Sequence, residues 1–185
     1  MKILLISDLH SQKKTLVSLE RIIERNKPDA LICAGDIAQG NDIEFLEKLF
    51  GIIEKNKLPS FLIWGNSEGE LAREFIINSP YNIHLQRKKL GNLDIVGIAG
   101  VDEVAAFDTK ILKDAILVTH RPPLKGALNS KYPNSPKYHL SGHLHFAASL
   151  KVYPATIHIQ IPTLQAGRFG IFEPDQGRVK FFFDR

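Results

Sequence analysis

The stretch KILLISDLH, residues 2–10, passes from an apolar run into two side chains that can bind a metal ion, Asp8 and His10. Its apolar half is typical of a buried strand. Two similar runs follow along the chain, ALICA (30–34) and SFLIW (60–64), and a polar residue again comes shortly after each run. We therefore expect three buried strands, each with polar chemistry beyond its C-terminal end.

Segments with helical periodicity separate these runs. Their apolar residues recur on one face of each helix, and a proline follows each segment, as is common where a helix ends. The residues are Leu16, Leu19 and Ile23 in the first helix, and Leu46, Leu49 and Ile53 in the second. The β-α-β-α-β order predicts a parallel sheet with right-handed crossovers.

The second half of the chain has a different pattern. A hairpin is predicted around Gly91-Asn92, and further apolar runs stand at 115–119 and 137–141. The last forty or so residues alternate as β-strands do, so we expect them to build a second, mostly antiparallel sheet. Residues 122–136 form a polar loop of a length that tends to be functional.

Length and composition favour one domain spanning residues 1–185, with 44% hydrophobic residues to build its core. No segment approaches the ~20 apolar residues of a membrane span, and the lone Cys33 lies in an apolar run that suits burial. We expect a cytoplasmic protein with no membrane partner. The formal net charge is +4, and the basic cluster at 87–89 is either a solvated face or a patch that attracts anions.

Metal-capable side chains follow five of the apolar runs. They are Asp8, His10, Asp36, Asn66, His120, His143 and His145. Taken singly, each has a structural interpretation, because Asp and Asn commonly cap helices and a lone His is more often a surface or core residue. Taken together, they indicate a metal site, because the carboxyl ends of parallel strands line one crevice.

The motifs SDLH, AGDI, WGN, VTH and SGHLH, in this order, resemble the calcineurin-like metallophosphoesterase superfamily. The match spans residues 8–145 and is most similar to the compact prokaryotic phosphodiesterases of the superfamily. This resemblance implies an α/β fold, a four-layer α/β/β/α sandwich of two mixed sheets flanked by helices. It also implies a centre with two divalent metal ions.

The resemblance assigns four ligands to each metal. The first metal would be held by Asp8, His10, Asp36 and His145, and the second by Asp36, Asn66, His120 and His143. Two divalent ions bring +4 and the two aspartates −2, which leaves a positive site suited to a phosphate ester. Manganese is the expected metal, and iron, nickel and zinc also suit these ligands.

The expected reaction is hydrolysis of a small phosphodiester by a metal-bridging hydroxide, with Asp36, Asn66 and His120 as catalytic residues. The alternatives are a phosphomonoesterase, a nuclease, or a catalytically weak metal-binding scaffold that resembles the retromer subunit of the superfamily. Nucleic acid is not expected as a partner, because the chain is short for a strand-holding domain. Exposed edge strands are compatible with a homodimer.

The sequence departs from the superfamily pattern at Ser67, where a histidine that can protonate the leaving group is usual. We interpret Ser67 through Glu70 as a capping box, and Glu68 either as a residue that orients a metal ligand or as a first-turn helix charge. Arg121 and Arg168 are candidate phosphate contacts, together with Asn66. The remaining histidines, His84, His139 and His158, are predicted not to bind metal.

Overall fold

The computed structural model describes residues 1–99, 112–122 and 136–184. The first part of the chain has the predicted alternation of strands and helices, extended by a third helix. Its elements are β1 (Ile3–Ile6), α1 (Lys13–Asn26), β2 (Ala30–Ala34), α2 (Ile43–Lys55), β3 (Ser60–Ile63) and α3 (Glu70–Ile77). The apolar faces predicted for α1 and α2 are buried, so the helical periodicity identified the packed side of each helix.

Strands dominate the rest of the described chain. They are β4 (Arg87–Leu90), β5 (Leu93–Ile98), β6 (Ile116–Thr119), β7 (Tyr138–Ser141), β8 (Ser149–Val152), β9 (Ile157–Gln160), β10 (Arg168–Glu173) and β11 (Arg178–Phe183). The predicted hairpin joins β4 to β5, and Gly91 at its tip has a φ of 60°. A short 3₁₀ turn, Leu164–Ala166, precedes β10.

The strands form two mixed sheets. The first has the order β11-β10-β1-β2-β3 and the second the order β4-β5-β6-β7-β9-β8. Strands β1, β2 and β3 are parallel, as predicted. The expectation that the last residues build a mostly antiparallel second sheet is wrong. Strands β10 and β11 join the first sheet instead, and the centre of the second sheet, β5-β6-β7-β9, is parallel.

The strands join these sheets because of which of their faces other elements of the fold cover. Strand β10 pairs antiparallel with β1, and its Phe172 is fully buried against Tyr138 of the second sheet. All residues of β6 and β7 are buried, which is typical of central parallel strands covered on both faces. Strict alternation was therefore a poor guide to which sheet each C-terminal strand would join.

Side chains of both sheets and of helices α1, α2 and α3 share one hydrophobic core. The expected α/β fold with two mixed sheets is confirmed. Within the described residues, all α-helices lie between Lys13 and Ile77, so a helical layer outside the second sheet stays a prediction. Most of the predicted polar loop, residues 123–135, lies outside the described ranges. None of the helices described is long and apolar enough to cross a membrane.

Candidate metal centre

The loops that follow β1, β2, β6 and β7 bring six of the predicted side chains into two groups. The first contains Asp8, His10, Asp36 and His145, and the second Asp36, His120 and His143. In each group, one potential ligand atom of every side chain lies within 4.8 Å of the others. Asp36 belongs to both groups, and its two carboxylate oxygens suit a position between two cations.

Asn66, the seventh predicted residue, lies beside the second group. Its Oδ1 is 3.2 Å from Nε2 of His120. The structure therefore brings all seven predicted residues together, although Asp8 and His145 are separated by most of the chain. The roles of all seven residues as metal ligands stay predictions.

In the first group, atoms that can accept a hydrogen bond face one another. Nε2 of His10 is 3.2 Å from Nε2 of His145, which in turn is 3.3 Å from Oδ1 of Asp8. Among the described residues, this Asp8 oxygen is buried and accepts no hydrogen bond. Converging atoms that can each act as a metal ligand fit a cation, because a cation can bind several of them at once.

His120 shows the same arrangement in the second group. Its Nδ1 is 2.8 Å from the carbonyl oxygen of Ala34, which can only accept, so Nδ1 carries the proton. Its Nε2 then faces Asp36 Oδ2 at 3.3 Å and Asn66 Oδ1 at 3.2 Å. A backbone carbonyl thus fixes the ring so that Nε2 points at the oxygens with which it would share a metal.

Both aspartates are buried, but their pKa values move in opposite directions. Burial raises the pKa of Asp8, and the neighbouring Asp36 carboxylate raises it further. Burial also disfavours the charged form of Asp36, yet the His120 ring, the Ser67 N–H and His10 together hold the pKa of Asp36 below its usual range. Burial likewise opposes protonation of His120, but Asp36 keeps the pKa of His120 raised. A divalent cation can take the place of the proton shared between Asp36 and His120. The donor atoms of the two groups therefore suit metal ions.

The backbone at the candidate ligands is strained. Asp8, His10, Asp36 and His143 have φ values of 57°, 49°, 51° and 69°, in the left-handed region that non-glycine residues rarely adopt. Such conformations cost about 1–3 kcal/mol each and persist where surrounding contacts impose them. All four strained residues belong to the two ligand groups.

Hydrogen bonds between the loops impose these conformations. The carbonyl oxygen of Asp36 accepts from the N–H groups of Leu9 and His10, at 2.8 and 3.0 Å. Thr163, which sequence reasoning missed, donates its hydroxyl to the carbonyl oxygen of Asp8 at 2.7 Å. No motif marks Thr163, because it reaches the site only when the C-terminal part of the chain returns to the first sheet.

Two glycines allow the loops to approach one another. A Cβ atom on Gly65 would lie 2.2 Å from Oδ1 of Asp36, and one on Gly142 would lie 1.9 Å from Oγ of Ser7. The glycines that precede Asn66 and His143 are therefore required by close contact around the site.

Glu68 holds two of these loops together without touching His120. It is buried, and its carboxylate accepts from the N–H groups of Ile37 and Ala38 on one side and Gly65 on the other. Burial raises the pKa of Glu68, and the three N–H donors oppose this. Glu68 precedes helix α3, which begins at Glu70, so it is not a first-turn charge, and its role in orienting a metal ligand stays a prediction. Glu68 fixes the backbone beside Asp36 and Asn66.

The predicted capping box at Ser67 is also wrong. Helix α3 begins at Glu70, after Gly69, and no side-chain cap comes from its own segment. Ser67 donates its hydroxyl to the carbonyl oxygen of Ala38, and its N–H binds Asp36 Oδ1 at 2.8 Å. The helix is capped from another loop, because Asn41 Oδ1 accepts from the N–H groups of Leu71 and Ala72.

The two predicted phosphate-binding arginines lie in different surroundings. Arg121 follows His120 directly and is exposed. Burial lowers the pKa of His143, and the charges of His120 and Arg121 lower it further. Arg168 donates from Nη1 to the carbonyl oxygen of Phe146 at 3.1 Å. Arg168 thus supports the loop that carries His145, whereas Arg121 is the more available cation.

A second set of polar side chains lies buried in β6, β7 and β9. We call it the buried polar cluster: Thr119, His139, Ser141, His158 and Gln160. Thr119 donates to the carbonyl oxygen of Arg121, so its oxygen accepts from His139 Nε2 at 2.7 Å. Ser141 donates to Gln160, so its oxygen accepts from His158 Nε2 at 2.8 Å.

Burial holds both of these rings in the neutral form. It lowers the pKa of His139 to about 3 and that of His158 to about 4. His84, the third histidine predicted not to bind metal, packs its ring against Trp64, and its Nδ1 accepts from the N–H of Ala99. Each of the three rings therefore makes structural contacts away from the two ligand groups.

The family model for calcineurin-like phosphoesterases matches residues 1–147. The chain belongs to the calcineurin-like phosphoesterase family. This family acts on phosphate esters and binds two divalent metal ions, for which the two ligand groups are the candidates. No curated protein sequence matches the chain.

Solved structures show the same fold at low sequence identity. The TT1561 protein of Thermus thermophilus has a TM-score of 0.78 and 16% identity, covering 100% of this calcineurin-like phosphoesterase and 99% of that chain. A dimetal phosphatase from Danio rerio has a TM-score of 0.65 and 10% identity over 100% and 99% of the two chains. An archaeal phosphodiesterase has a TM-score of 0.64 and 12% identity over 99% of each chain.

Proposed function

We propose that this calcineurin-like phosphoesterase is a phosphodiesterase that hydrolyses small phosphodiesters. The observation that carries the proposal is the convergence of two ligand groups on Asp36. Asp8, His10, Asp36 and His145 would hold one divalent ion, and Asp36, Asn66, His120 and His143 the other. When bound, the two ions supply Lewis-acid stabilisation of the phosphoryl group and a water of lowered pKa.

The protein side chains set the charge of the site. Two aspartates supply fewer negative charges than two divalent ions supply positive ones, and Asn66 adds an amide oxygen without adding charge. The site therefore attracts an anionic phosphate ester while the imidazoles remain neutral donors. Asn66 is exposed at the rim, where its amide can also orient a phosphoryl oxygen.

The leaving group receives little help from the protein. Ser67 stands where a histidine is usual in the superfamily, and its hydroxyl already donates to the carbonyl oxygen of Ala38. A serine hydroxyl is far too weak an acid to protonate a departing alkoxide near neutral pH. The enzyme should therefore prefer esters with good leaving groups, such as aryl phosphates.

Arg121 is the proposed phosphate contact on the substrate side. It is exposed beside His120, and its charge reaches His143. Arg168 was the other candidate, and its bond to the backbone of Phe146 favours a role in holding the loop. We propose Arg121 as the residue that clamps the phosphate, since arginine matches phosphate with paired donors.

Further proposals concern the metal and the setting of the enzyme. Manganese suits the mixture of oxygen and imidazole donors, as do iron, nickel and zinc. A cytoplasmic location suits the buried free thiol of Cys33, whose pKa burial raises. A homodimer is compatible with the edge strands β8 and β11.

Metal analysis combined with a panel of mono- and diesters tests the proposal. We expect bound or readily acquired transition metal, and faster hydrolysis of a bis-aryl diester than of a mono-aryl ester. Activity should be lost in His120→Ala and kept in His84→Gln. The proposal fails if the metal-loaded protein hydrolyses no activated diester, or if His120→Ala is as active as the wild type.

The role of the missing acid has its own test. The rate should depend steeply on the leaving-group pKa, and Ser67→His should flatten this dependence by accelerating alkyl esters. Ser67→Ala is the matched control and should keep the steep dependence. A wild-type rate that does not vary with leaving-group pKa would contradict this account.

A further inference from the structure

A cavity lies on the first sheet, where strands β10 and β11 run beside the C-terminal end of α1. Its volume of about 350 Å³ is within the range of pockets that hold small molecules. Four cationic side chains line it, and they are Lys2, Arg25, Arg178 and Lys180. We call this cavity the cationic pocket.

The register of β10 and β11 turns the lining residues of these strands to one face of the sheet. Glu173 pairs with Arg178, and Ile171 pairs with Lys180. Because side chains alternate along a strand, these four residues lie on the face opposite to Phe172, which packs against the second sheet. The cationic pocket therefore lies on the outer face of the first sheet, and the buried Ile171 gives it an apolar part.

Positive charge exceeds negative charge among the residues that line the cationic pocket. Glu173 is the only carboxylate among the described lining residues, and it accepts from Nε of Arg178 at 2.8 Å. Arg178 lowers the pKa of Glu173, and the charges of Lys180 and Lys2 lower it further, so both ammonium groups lie near this carboxylate. Four cations and one carboxylate leave a surplus of +3.

Two of the cations are available to a ligand. Lys2 and Lys180 are exposed and form no ion pair within residues 1–99, 112–122 and 136–184. Asp29 accepts from the backbone N–H of Lys2 and does not line the pocket. Arg25 has a carboxylate neighbour outside the pocket, Asp184, at 3.5 Å. A multiply charged anion would relieve the mutual repulsion of these cations.

An aromatic ring continues the row of cations along β11. Arg178, Lys180 and Phe182 occupy alternate positions, so Phe182 lies about 7 Å from Lys180 and about 13 Å from Arg178 along the strand. The Phe182 ring is 42% exposed, and its stacking on Phe169, with centroids 5.4 Å apart, holds it in place. Exposed aromatic rings of this kind can stack on the face of a nucleic-acid base.

The cationic pocket is separate from the candidate metal centre. Lys2 precedes β1 and Asp8 follows it, and six residues of extended chain span about 20 Å. None of the described residues that line the pocket belongs to the two ligand groups. A ligand in the pocket would thus leave the metal centre open to its substrate.

We propose that the cationic pocket binds a nucleoside diphosphate. The order of the parts of this ligand matches the row along β11, with the base on Phe182 and the phosphates at Lys180, Lys2 and Arg178. A nucleoside diphosphate carries about three negative charges at neutral pH, because the second pKa of a terminal phosphate is about 6. Its charge therefore balances the surplus of the pocket. The inference does not depend on the proposed phosphodiesterase function.

The first part of the test compares two double variants with the same change in charge. Lys2→Gln/Lys180→Gln removes two cations of the pocket, and Lys57→Gln/Lys151→Gln removes two exposed lysines elsewhere. The probe is the α,β-methylene analogue of adenosine diphosphate, which resists hydrolysis between its phosphates. Titration calorimetry measures its binding to the metal-loaded proteins. Hydrolysis of a bis-aryl diester is measured in parallel and should be the same in both variants.

The second part of the test concerns the ring. Phe182→Leu removes the aromatic face and keeps an apolar contact with Phe169. Phe183→Leu is the matched control, because Phe183 is also exposed and its side chain lies on the opposite face of β11. Inorganic pyrophosphate is the second probe, since it has the charged groups of the ligand without the base.

We expect Lys2→Gln/Lys180→Gln to bind the adenosine probe roughly tenfold more weakly, because it loses two charged donors to phosphate. Phe182→Leu should bind this probe roughly fivefold more weakly and pyrophosphate as the wild type does. Both controls should match the wild type. Asp36→Asn should also bind the adenosine probe like the wild type, because this residue belongs to the metal centre.

Four results would overturn the inference. They are no binding of the adenosine probe by the wild type, equal binding by a pocket variant and its control, equally tight binding of pyrophosphate, and loss of binding in Asp36→Asn. The last result would place the probe at the metal centre. Hydrolysis of the bis-aryl diester by a wild type that does not bind the adenosine probe would refute this inference and leave the proposed function in place.

Discussion

Two sets of histidines have different surroundings: those of the candidate metal centre lie in the loops after β1, β6 and β7, and those of the buried polar cluster lie in β7 and β9. In the candidate metal centre, imidazole nitrogens and carboxylate oxygens converge, and a buried oxygen of Asp8 accepts no hydrogen bond among the described residues. In the buried polar cluster, the hydroxyl groups of Thr119 and Ser141 each donate once and accept once from a histidine. Nδ1 of His139 is also buried without a hydrogen-bond partner among the described residues. The difference teaches that a histidine is a candidate ligand when carboxylate oxygens and other imidazoles converge on it, and a structural residue when its ring bonds to a single hydroxyl group.

Asp36→Asn should give the largest effect that this comparison predicts. Asp36 is shared by both ligand groups, so the loss of its charge weakens both metal positions. We expect kcat/KM on a bis-aryl diester to fall on the order of 10³-fold, with reduced bound metal and an intact fold. Asp114→Asn, on the exposed segment before β6, is the matched control and should keep full activity. Equal metal content in both variants would remove the basis for a shared ligand.

Removing the metal should lower the melting temperature only of proteins whose candidate metal ligands are intact. A ligand that binds only the folded state stabilises it by about 2.7 kcal/mol at 100 times its Kd, which corresponds to roughly 5–10 °C in the melting temperature. Chelation should therefore lower the melting temperature of the wild type and of His158→Gln. It should change that of Asp36→Asn much less. If chelation changed the melting temperatures of all three proteins equally, the two sets of histidines would not differ in their contribution to metal binding.

Gln160→Leu should destabilise the buried polar cluster and leave the metal centre intact. Gln160 donates from Nε2 to the carbonyl oxygens of Ser141, Gly142 and Ile161, the second at 2.6 Å. The substitution removes the acceptor of the buried Ser141 hydroxyl and the side-chain donor of the three carbonyl groups, of which those of Ser141 and Gly142 keep a backbone donor. We expect it to cost about 2 kcal/mol of the free energy of unfolding. Chemical denaturation measures this loss, with Gln39→Leu on an exposed loop as the control. We expect the folded variant to keep most of its bound metal. Complete loss of metal with an unchanged free energy of unfolding would show that Gln160 acts on the metal centre and not on the buried polar cluster.

Per pH unit and per ring, the pH dependence of stability should show the smallest effect. An imidazole in the unfolded chain has a pKa of about 6.5, whereas burial lowers the pKa of His139 to about 3 and that of His158 to about 4. Between roughly pH 6.5 and pH 4 the unfolded state binds more protons, so stability falls as the pH falls, by up to about 1.4 kcal/mol per pH unit for each ring.

His158→Gln isolates this contribution, because glutamine can still donate to Ser141 but does not titrate. In metal-free protein, the difference in unfolding free energy between wild type and variant should shrink as the pH falls from 6.5 to 4. A difference that stays constant over this range would show that His158 is protonated at the same pH in both states.

The first three strands, their helices and the polar residues beyond the strands could be predicted, because each depends on local periodicity and on the rule that parallel strands end at one edge. The partners of β10 and β11 could not. Their alternation shows that they are strands, but the sheet they join depends on which edge the folded chain leaves uncovered. The contacts of Glu68 and Ser67 were missed for a related reason, since their partners, Ile37, Ala38 and Asp36, lie about thirty residues away.

The sequence by itself determined the residue types of the candidate site and their order, because metal chemistry requires particular side chains after particular strands. The tertiary structure alone decided which of those side chains share Asp36, which histidines bond to hydroxyl groups, and how Thr163 comes to lie beside Asp8. These outcomes depend on distances between residues far apart in the chain. Such distances are set by the packing of the two sheets, which no local pattern encodes.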